Sequence, residues 1–186
     1  MSNQRPNTIV LDLETQKTFD EVGRQNLHKL KVSVVGIYDY LTEEYISYEE
    51  KEIHLLEERL KSVELMVGFN IRRFDMPVLQ PYLFISADSV PVLDLLDEIE
   101  RVRGHRVSLQ SLAQASLNVS KSGQGIDAVD MYKRGQMDLL KKYCLDDVRI
   151  TKDLYELFAA KFDLQNECER SDASSGLLFS RIPQFI

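Results

Sequence analysis

A short apolar stretch that carries two carboxylates constrains the fold of this chain more than any other feature. It runs from Thr8 to Thr15 with the sequence T-I-V-L-D-L-E-T, which has the composition of a buried β-strand. Because side chains alternate between the two faces of a strand, Asp12 and Glu14 project from the same face. An ionised carboxylate is costly to bury unless it is paired or bound to a metal, and the nearby Lys17 lies beyond the strand. The pair therefore indicates a divalent cation site; the alternative is an ordinary strand whose acidic positions face solvent.

Length and composition favour a single domain. The chain has 186 residues, 44% of them apolar, which is enough for one well-filled core but not for two. We expect the domain to cover residues 8–162, after a loose polar lead over residues 1–7 and before a C-terminal tail over residues 163–186. No apolar run approaches the ~18 residues of a membrane span, and no charged-then-apolar leader is present, so a cytoplasmic protein without a membrane partner is expected.

Charge and cysteine usage narrow the function classes. The net charge of −7 argues against a protein that coats nucleic acid by bulk attraction, because that mode of binding needs a basic surface. It does not exclude an enzyme that holds a few phosphates, since carboxylates at a metal site count as negative charges but are neutralised by the metal. Cys144 and Cys168 lack the spacing of a zinc site and are expected to be free thiols.

Apolar periodicity divides the rest of the chain into strands and helices. Strands are predicted at residues 8–15, 31–40, 44–49, 65–70 and 90–96. Helices are predicted at residues 51–60, from Asp75 onward, at 108–117 and at 136–162. The fourth strand follows a helix and is expected to run parallel to the first. Residues 101–106 are expected to form a basic loop, and residues 120–125 a flexible connection.

Two more acidic positions stand on elements that can meet the first strand. Asp75 begins a predicted helix, and the simpler alternative is that it only caps that helix. On the long final helix, Tyr143 and Asp147 are four residues apart and share a face. The apolar stripe of this helix favours Asp147 over the adjacent Asp146 as the inward-facing carboxylate. Asp146 is expected to form a surface ion pair with Lys142.

The order and setting of these residues resemble the DEDD superfamily of 3′-to-5′ exonucleases. The resemblance covers about residues 8–160 and rests on D-x-E within I-V-L-D-L-E-T, on G-F-N-I-R-R-F-D ending at Asp75, and on Y-C-L-D-D-V beginning at Tyr143. A tyrosine four residues before the last aspartate is typical of the DEDDy variant; the DEDDh variant has a histidine five residues before it, where this chain has Lys142. Within the superfamily the chain is most similar to the ribonuclease H-like predicted exonucleases related to the proofreading domain of family B polymerases, including YprB-like proteins.

The resemblance implies an α/β, ribonuclease H-like fold: a five-stranded mixed sheet of order 3-2-1-4-5 flanked by helices. It also implies hydrolysis of phosphodiester bonds from the 3′ end of single-stranded DNA or RNA with two divalent cations. Oxygen ligands without cysteine or histidine favour Mg²⁺ or Mn²⁺. By resemblance, Asp12 would bridge both ions, Glu14 and Asp147 would complete the inner site, Asp75 would hold the second ion, and Tyr143 would orient the attacking water.

Nucleic-acid contacts are expected from basic and aromatic side chains around this centre. The candidates are Phe74, Arg101, Arg103, Arg106, Lys121, Lys133 and Arg134. The alternatives are that the cations are solvated surface charges and that Phe74 belongs to the core. Two other functions stay open, namely an inactive nuclease-fold binding or accessory module and an endonuclease of ribonuclease H type. The sequence identifies no partner protein and does not separate DNA from RNA.

Overall fold

The chain is organised around a five-stranded sheet in a computed structural model that describes residues 6–86, 89–119 and 128–170. The strands are β1 (Thr8–Thr15), β2 (Val32–Asp39), β3 (Glu44–Glu49), β4 (Leu65–Gly68) and β5 (Val92–Asp94). Their order is β3-β2-β1-β4-β5. Because β1 runs antiparallel to β2 and parallel to β4, the predicted mixed sheet and its strand order are confirmed.

Seven helices surround the sheet in the described ranges. They are α1 (Phe19–Val22), α2 (Ile53–Leu60), α3 (Asp75–Leu79), α4 (Leu95–Arg103), α5 (Leu109–Leu117), α6 (Ala128–Lys133) and α7 (Met137–Arg170). Short 3-10 turns lie at Leu27–Lys29, Glu50–Glu52 and Gln80–Tyr82. None of the helices in the described part of the chain combines the length and apolar content needed to cross a membrane.

The alternation of side chains along β1 separates two apolar layers. Ile9, Leu11 and Leu13 pack with α2 and α3 on one face of the sheet. Val10 packs with α5 and α7 on the other. Asp12 and Glu14 share the face of Val10, because strand side chains repeat with a period of two, and they therefore point toward α7.

β1 extends past the end of its parallel neighbour. Its register with β4 covers Thr8, Ile9 and Val10, whereas its register with β2 continues to Thr15. Consequently the carboxylate-bearing half of β1 pairs with β2 but not with β4, and on its β4 side the start of α3 reaches Leu13 through Asp75.

Gly36 of β2 allows α7 to lie close to the sheet. Gly36 is the partner of Asp12 in the β1–β2 register. A Cβ atom on Gly36 would lie 2.9 Å from Cys144 Sγ and 3.1 Å from Val148 Cγ2. Because real side chains rarely tolerate such distances, the missing side chain fixes how near α7 approaches β1 and β2.

The structure corrects the sequence reading after β4. The fifth strand is shorter than the predicted 90–96 and gives way to α4 at Leu95. The reason is a helix cap: the Asp94 side chain accepts hydrogen bonds from the backbone N–H groups of Leu96 and Asp97. Residues 101–103, predicted to be part of a basic loop, are the last turn of α4. The final helix also continues to Arg170 instead of ending at residue 162.

Candidate active site

Three carboxylates converge where β1 extends past β4. Asp12 and Glu14 are half-buried on β1, and Asp147 of α7 is buried. One carboxylate oxygen from each residue lies within 4.8 Å of the other two. A group of hard oxygen ligands at this spacing suits a divalent cation, so the triad could bind a metal ion.

The buried stripe of α7 orients Asp147. Leu140, Cys144 and Val148 are fully buried on the side of α7 that faces the sheet. Asp147 borders this stripe and is 8% exposed. The side chain of the adjacent Asp146 is 45% exposed and lies 3.7 Å from Arg149. The expected pairing of Asp146 with Lys142 is therefore replaced by a pairing one turn in the opposite direction along the helix.

Tyr143 lies one helical turn before Asp147 and is half-buried. Its ring packs against the small apolar cluster formed by Val34, Met131, Leu140 and Cys144. The tyrosine therefore lies on the same side of α7 as the acidic triad, and the packing of its ring fixes its position.

Asp75 occupies a different position from the other three acids. It is the first residue of α3, is 2% exposed, and its Oδ1 accepts a hydrogen bond of 3.1 Å from the backbone N–H of Leu13, the residue between Asp12 and Glu14. Its side chain reaches β1, and the N-cap of α3 is Phe74, so the simpler alternative that Asp75 only caps its helix is wrong. Burial, and to a smaller extent the negative charge of Asp94, raise the pKa of Asp75 to about 8, against the hydrogen bond from Leu13.

Asp94 is a buried carboxylate that sequence reasoning did not single out. It is 2% exposed at the end of β5. Besides capping α4, it accepts hydrogen bonds from the backbone N–H groups of Asn70 and Arg72, at 2.8 and 3.0 Å. The signal available in the sequence was an aspartate directly after an apolar strand and before a helix-like L-L-D-E run.

Cys144 contacts the triad without being a plausible ligand in its resting state. Its Sγ lies 3.9 Å from Asp12 Oδ2 and 3.5 Å from the Asp12 backbone oxygen. Burial, together with the negative charges of Asp12, Glu14 and Asp147, raises the pKa of this thiol well above its usual value. The neutral thiol is a weak hydrogen-bond donor to the backbone oxygen and the carboxylate of Asp12.

Two aromatic side chains lie close to the acidic positions in the sequence and contact each other. Phe74 directly precedes Asp75 and is half-buried, with its ring centroid 5.9 Å from that of Phe19. Phe19 follows β1, is 37% exposed, and has the Arg24 guanidinium 5.8 Å from its ring centroid. Sequence reasoning named Phe74 and missed Phe19, whose helical turn is too short to show a periodic pattern.

The three candidate arginines of the 101–106 segment are distributed over α4 and the loop after it. Arg101 pairs with Glu98 at 2.6 Å, and Arg106 pairs with Glu100 at 2.8 Å. Arg103 is exposed in the last turn of α4. Exposed pairs of this kind are individually weak, so phosphates can compete for them, but the carboxylates reduce the positive potential of the surface.

The remaining basic candidates lie elsewhere. Lys133, the last residue of α6, pairs with Glu21 of α1 at 3.0 Å. This ion pair links α1, which follows β1, to the end of α6. Arg134 pairs with Asp130 on its own helix at 3.4 Å. Lys121 lies outside the described residues.

Comparisons with known proteins agree with this architecture. A sequence model of the RNase H superfamily matches residues 9–159. The fold is similar to part of the family B DNA polymerase from the hyperthermophilic archaeon Pyrobaculum calidifontis, with a TM-score of 0.66 and 17% identity over 86% of this chain. The match spans 25% of the polymerase chain. Curated protein sequences contain no significant match.

The family model covers both β1, with its two acids, and the part of α7 that carries Asp147. It thus spans every element that contributes to the triad. This match and the shared fold confirm the ribonuclease H-like classification indicated by the motifs, and the chain belongs to the RNase H superfamily.

Proposed function

We propose that this chain is a metal-dependent 3′-to-5′ exonuclease that removes nucleotides from the end of single-stranded nucleic acid. The observation that carries the proposal is the convergence of Asp12, Glu14 and Asp147, whose carboxylate oxygens lie within 4.8 Å of one another. Such a cluster stabilises nothing by itself, because like charges repel, and its cost is offset when a cation binds. The D-x-E and Y-x-x-x-D motifs of the DEDDy exonucleases place the same residues in one site.

The ligand set favours Mg²⁺ or Mn²⁺. All three grouped side chains offer carboxylate oxygens, and Cys144 is held as a neutral thiol. Asp12, Glu14 and Asp147 would hold one ion, and Asp12 and Asp75 would hold a second. When bound, a pair of such ions stabilises the attacking and leaving oxygens of an in-line phosphodiester displacement.

The side chains of this chain position the reactants. Tyr143 orients the attacking water through its hydroxyl, because a phenol is a poor base but a good hydrogen-bonding group. Phe74, with Phe19 beside it, offers ring surface for the terminal base. Lys133 is a candidate to contact the backbone after exchanging its carboxylate partner, Glu21, for phosphate.

End-labelled oligonucleotides test this proposal. Single-stranded DNA and RNA, labelled at either end, are incubated with the protein and Mg²⁺ or Mn²⁺. We expect a ladder of 5′-labelled products that shortens stepwise from the 3′ end, and loss of cleavage in Asp12→Ala and in the presence of a chelator. Substrates with a blocked 3′ end should resist degradation.

The same experiment separates the two other functions. An endonuclease of ribonuclease H type would cut a circular RNA–DNA hybrid, which offers no 3′ end. An inactive binding module would shift the mobility of the oligonucleotide without shortening it. Either result would refute the exonuclease proposal.

A further inference from the structure

Asp94 is placed to control the segment that leads into Asp75. The side chain of Asp94 is buried between the end of β4 and the start of α4, and both of its oxygens accept backbone hydrogen bonds. Oδ1 accepts from Leu96, at 3.0 Å, and from Asn70, at 2.8 Å. Oδ2 accepts from Arg72, at 3.0 Å. One carboxylate therefore caps α4 and holds the segment between β4 and α3.

The conformation of that segment depends on such support. Asn70 has a φ of 65°, in the left-handed region that non-glycine residues rarely adopt. Charged-group hydrogen bonds of this kind are shorter and stronger than neutral ones, and they become stronger still away from water. A buried carboxylate bonded to the amides on either side of Ile71 thus stabilises the unusual turn at Asn70.

Ion pairs at the protein surface also hold residues 70–73. Arg73 lies 3.3 Å from Asp97 and 3.2 Å from Glu100, both on α4. Arg106 pairs with Glu100 and with the side chain of Asn70. These contacts join α4 to the same four-residue stretch, residues 70–73, that Asp94 holds from inside.

The path from Asp94 to the metal centre is short. After Arg73 and Phe74 the chain enters α3 at Asp75, whose Oδ1 accepts the N–H of Leu13. Leu13 lies between the two carboxylates of β1. A displacement of residues 70–72 therefore moves Asp75 relative to Asp12 and Glu14.

We propose that Asp94 is the positioning residue of Asp75: by holding the amides of Asn70 and Arg72, it fixes where Asp75 meets β1 and thereby the site of the second cation. This inference rests on the proposed function for its catalytic consequence. It also assigns Arg106 to the support of this segment. Residues that orient metal ligands commonly change metal affinity or activity by ~10–100-fold when they are removed.

Asp94→Asn tests the proposal selectively. An asparagine keeps one oxygen, so it can still cap α4 and accept from Asn70, and asparagine is a good helix cap. Its amide group replaces Oδ2 and presents a donor to the N–H of Arg72. The substitution thus breaks the bond to the segment and retains the bond to the helix.

Glu57→Gln is the matched control. Glu57 is 6% exposed, and its Oε1 accepts hydrogen bonds from the backbone N–H groups of Phe84 and Ile85. It is a second buried carboxylate that holds a loop by its amides, but its loop lies after α3 and does not lead into Asp75. Because both N–H groups donate to Oε1, which glutamine retains, Glu57→Gln can keep both hydrogen bonds and removes only the charge of a buried carboxylate. It therefore controls for the loss of charge in Asp94→Asn and should not affect the metal centre.

The first measurement is amide hydrogen exchange of metal-free protein, with Leu13 as the reporter and Leu11 of the same strand as the reference. We expect exchange at Leu13, relative to Leu11, to accelerate at least ~10-fold in Asp94→Asn and to stay unchanged in Glu57→Gln, because only the first variant displaces the acceptor of the Leu13 N–H. The second measurement is the Mn²⁺ concentration that gives half-maximal hydrolysis, which should rise ~10–100-fold in Asp94→Asn alone.

Three results would overturn the proposal. Unchanged exchange at Leu13 would show that Asp75 does not depend on Asp94. Equal effects in Asp94→Asn and Glu57→Gln would mean that the loss of a buried charge, and not the lost bond to Arg72, explains the effect of the Asp94 substitution. Tighter Mn²⁺ binding in Asp94→Asn would mean that its negative charge matters more than its hydrogen bonds. If the wild type degrades no oligonucleotide, the proposed function fails, and the exchange at Leu13 still decides whether Asp94 positions Asp75.

Discussion

Adding one methyl group at Gly36 should disturb the metal centre through α7. The backbone of Gly36 is not in the left-handed region, so alanine is conformationally acceptable and the effect comes from contact alone. The new Cβ would lie 2.9 Å from Cys144 Sγ, 3.1 Å from Val148 Cγ2 and 3.2 Å from Leu145 Cδ2. All three atoms belong to α7, which must move outward by several tenths of an ångström to restore contact distances of ~3.5–4.0 Å.

The expected change in the free energy of unfolding of Gly36→Ala combines two opposing contributions. Overpacking a buried site typically destabilises a protein by ~1–3 kcal/mol. Replacing glycine by alanine in a strand returns ~0.5–1 kcal/mol, because the unfolded chain loses backbone freedom. We therefore expect Gly36→Ala to remain folded with a free energy of unfolding lower by about 1–2 kcal/mol. Since α7 carries Asp147, and a misplacement of ~1 Å can cost ~10²-fold in rate, we expect a loss of activity of about tenfold or more.

A double-mutant cycle with Cys144→Ala tests the mechanism. Removing Sγ opens space at the closest contact, so the double variant should be more stable than the sum of the single variants predicts, by ~1 kcal/mol or more in urea denaturation. Gly68→Ala is the control: its methyl would meet Ile71 at 2.6 Å, not α7, and Cys144→Ala should not relieve it. Additive effects at Gly36 and Cys144, or a Gly36→Ala variant with wild-type activity, would refute the argument that this glycine sets the distance of α7.

Four further outcomes are expected from the acidic centre and its tyrosine. Tyr143→Phe should leave the melting temperature and Mn²⁺ binding unchanged but slow single-turnover hydrolysis by ~10²-fold; a wild-type rate would show that the ring is only packed. Asp147→Ala should abolish nuclease activity, whereas Asp146→Ala, at an exposed position, should stay within a few-fold of wild type in the same assay. Millimolar Mn²⁺ should raise the melting temperature of the wild type by binding the folded state, and Asp12→Ala should remove most of that gain; an unmoved wild-type curve would contradict the metal site. Asp75 holds a proton in the folded metal-free protein up to a pH of about 8, whereas an unfolded aspartate releases it near pH ~4. The free energy of unfolding of the wild type should therefore fall by a few kcal/mol between about pH 5 and 8, and that of Asp75→Asn should not. Urea denaturation in the presence of a chelator measures this difference.

The sequence was sufficient to predict the strand that carries the acids and the side of α7 that faces it. Both predictions rest on strong periodicities, the period of two along β1 and the buried stripe through Leu140, Cys144 and Val148. Neither needs any knowledge of distant contacts. The sheet order came from the family resemblance, which the structure confirms.

Other features depend on contacts that periodicity does not encode. The run V-P-V-L-D-L-L is compatible with a strand or a buried helix, and the chain changes from one to the other at Asp94 because its side chain caps α4 and holds a remote segment. The partner of Lys133 was unpredictable for the same reason. Lys133 and Glu21 are 112 positions apart, so only the folded chain brings them together.

The position of Asp75 is the part of the site that burial decides. Motif spacing treats the four acids as equivalent, but the structure leaves Asp12 and Glu14 half-buried and encloses Asp75 almost completely. Water cannot stabilise a negative charge on Asp75, and Asp94 opposes one, so the folded metal-free protein keeps this carboxyl protonated at neutral pH. Protonation limits the repulsion between Asp75 and Asp94 while the Leu13 N–H still finds an acceptor. A cation that approaches Asp75 must therefore compete with a proton. Asp12, Glu14 and Asp147 form a separate group between β1 and α7. Burial therefore distinguishes Asp75 from the other three acids: Asp12, Glu14 and Asp147 could share a metal ion, whereas Asp75 offers a charged ligand only after it loses its proton.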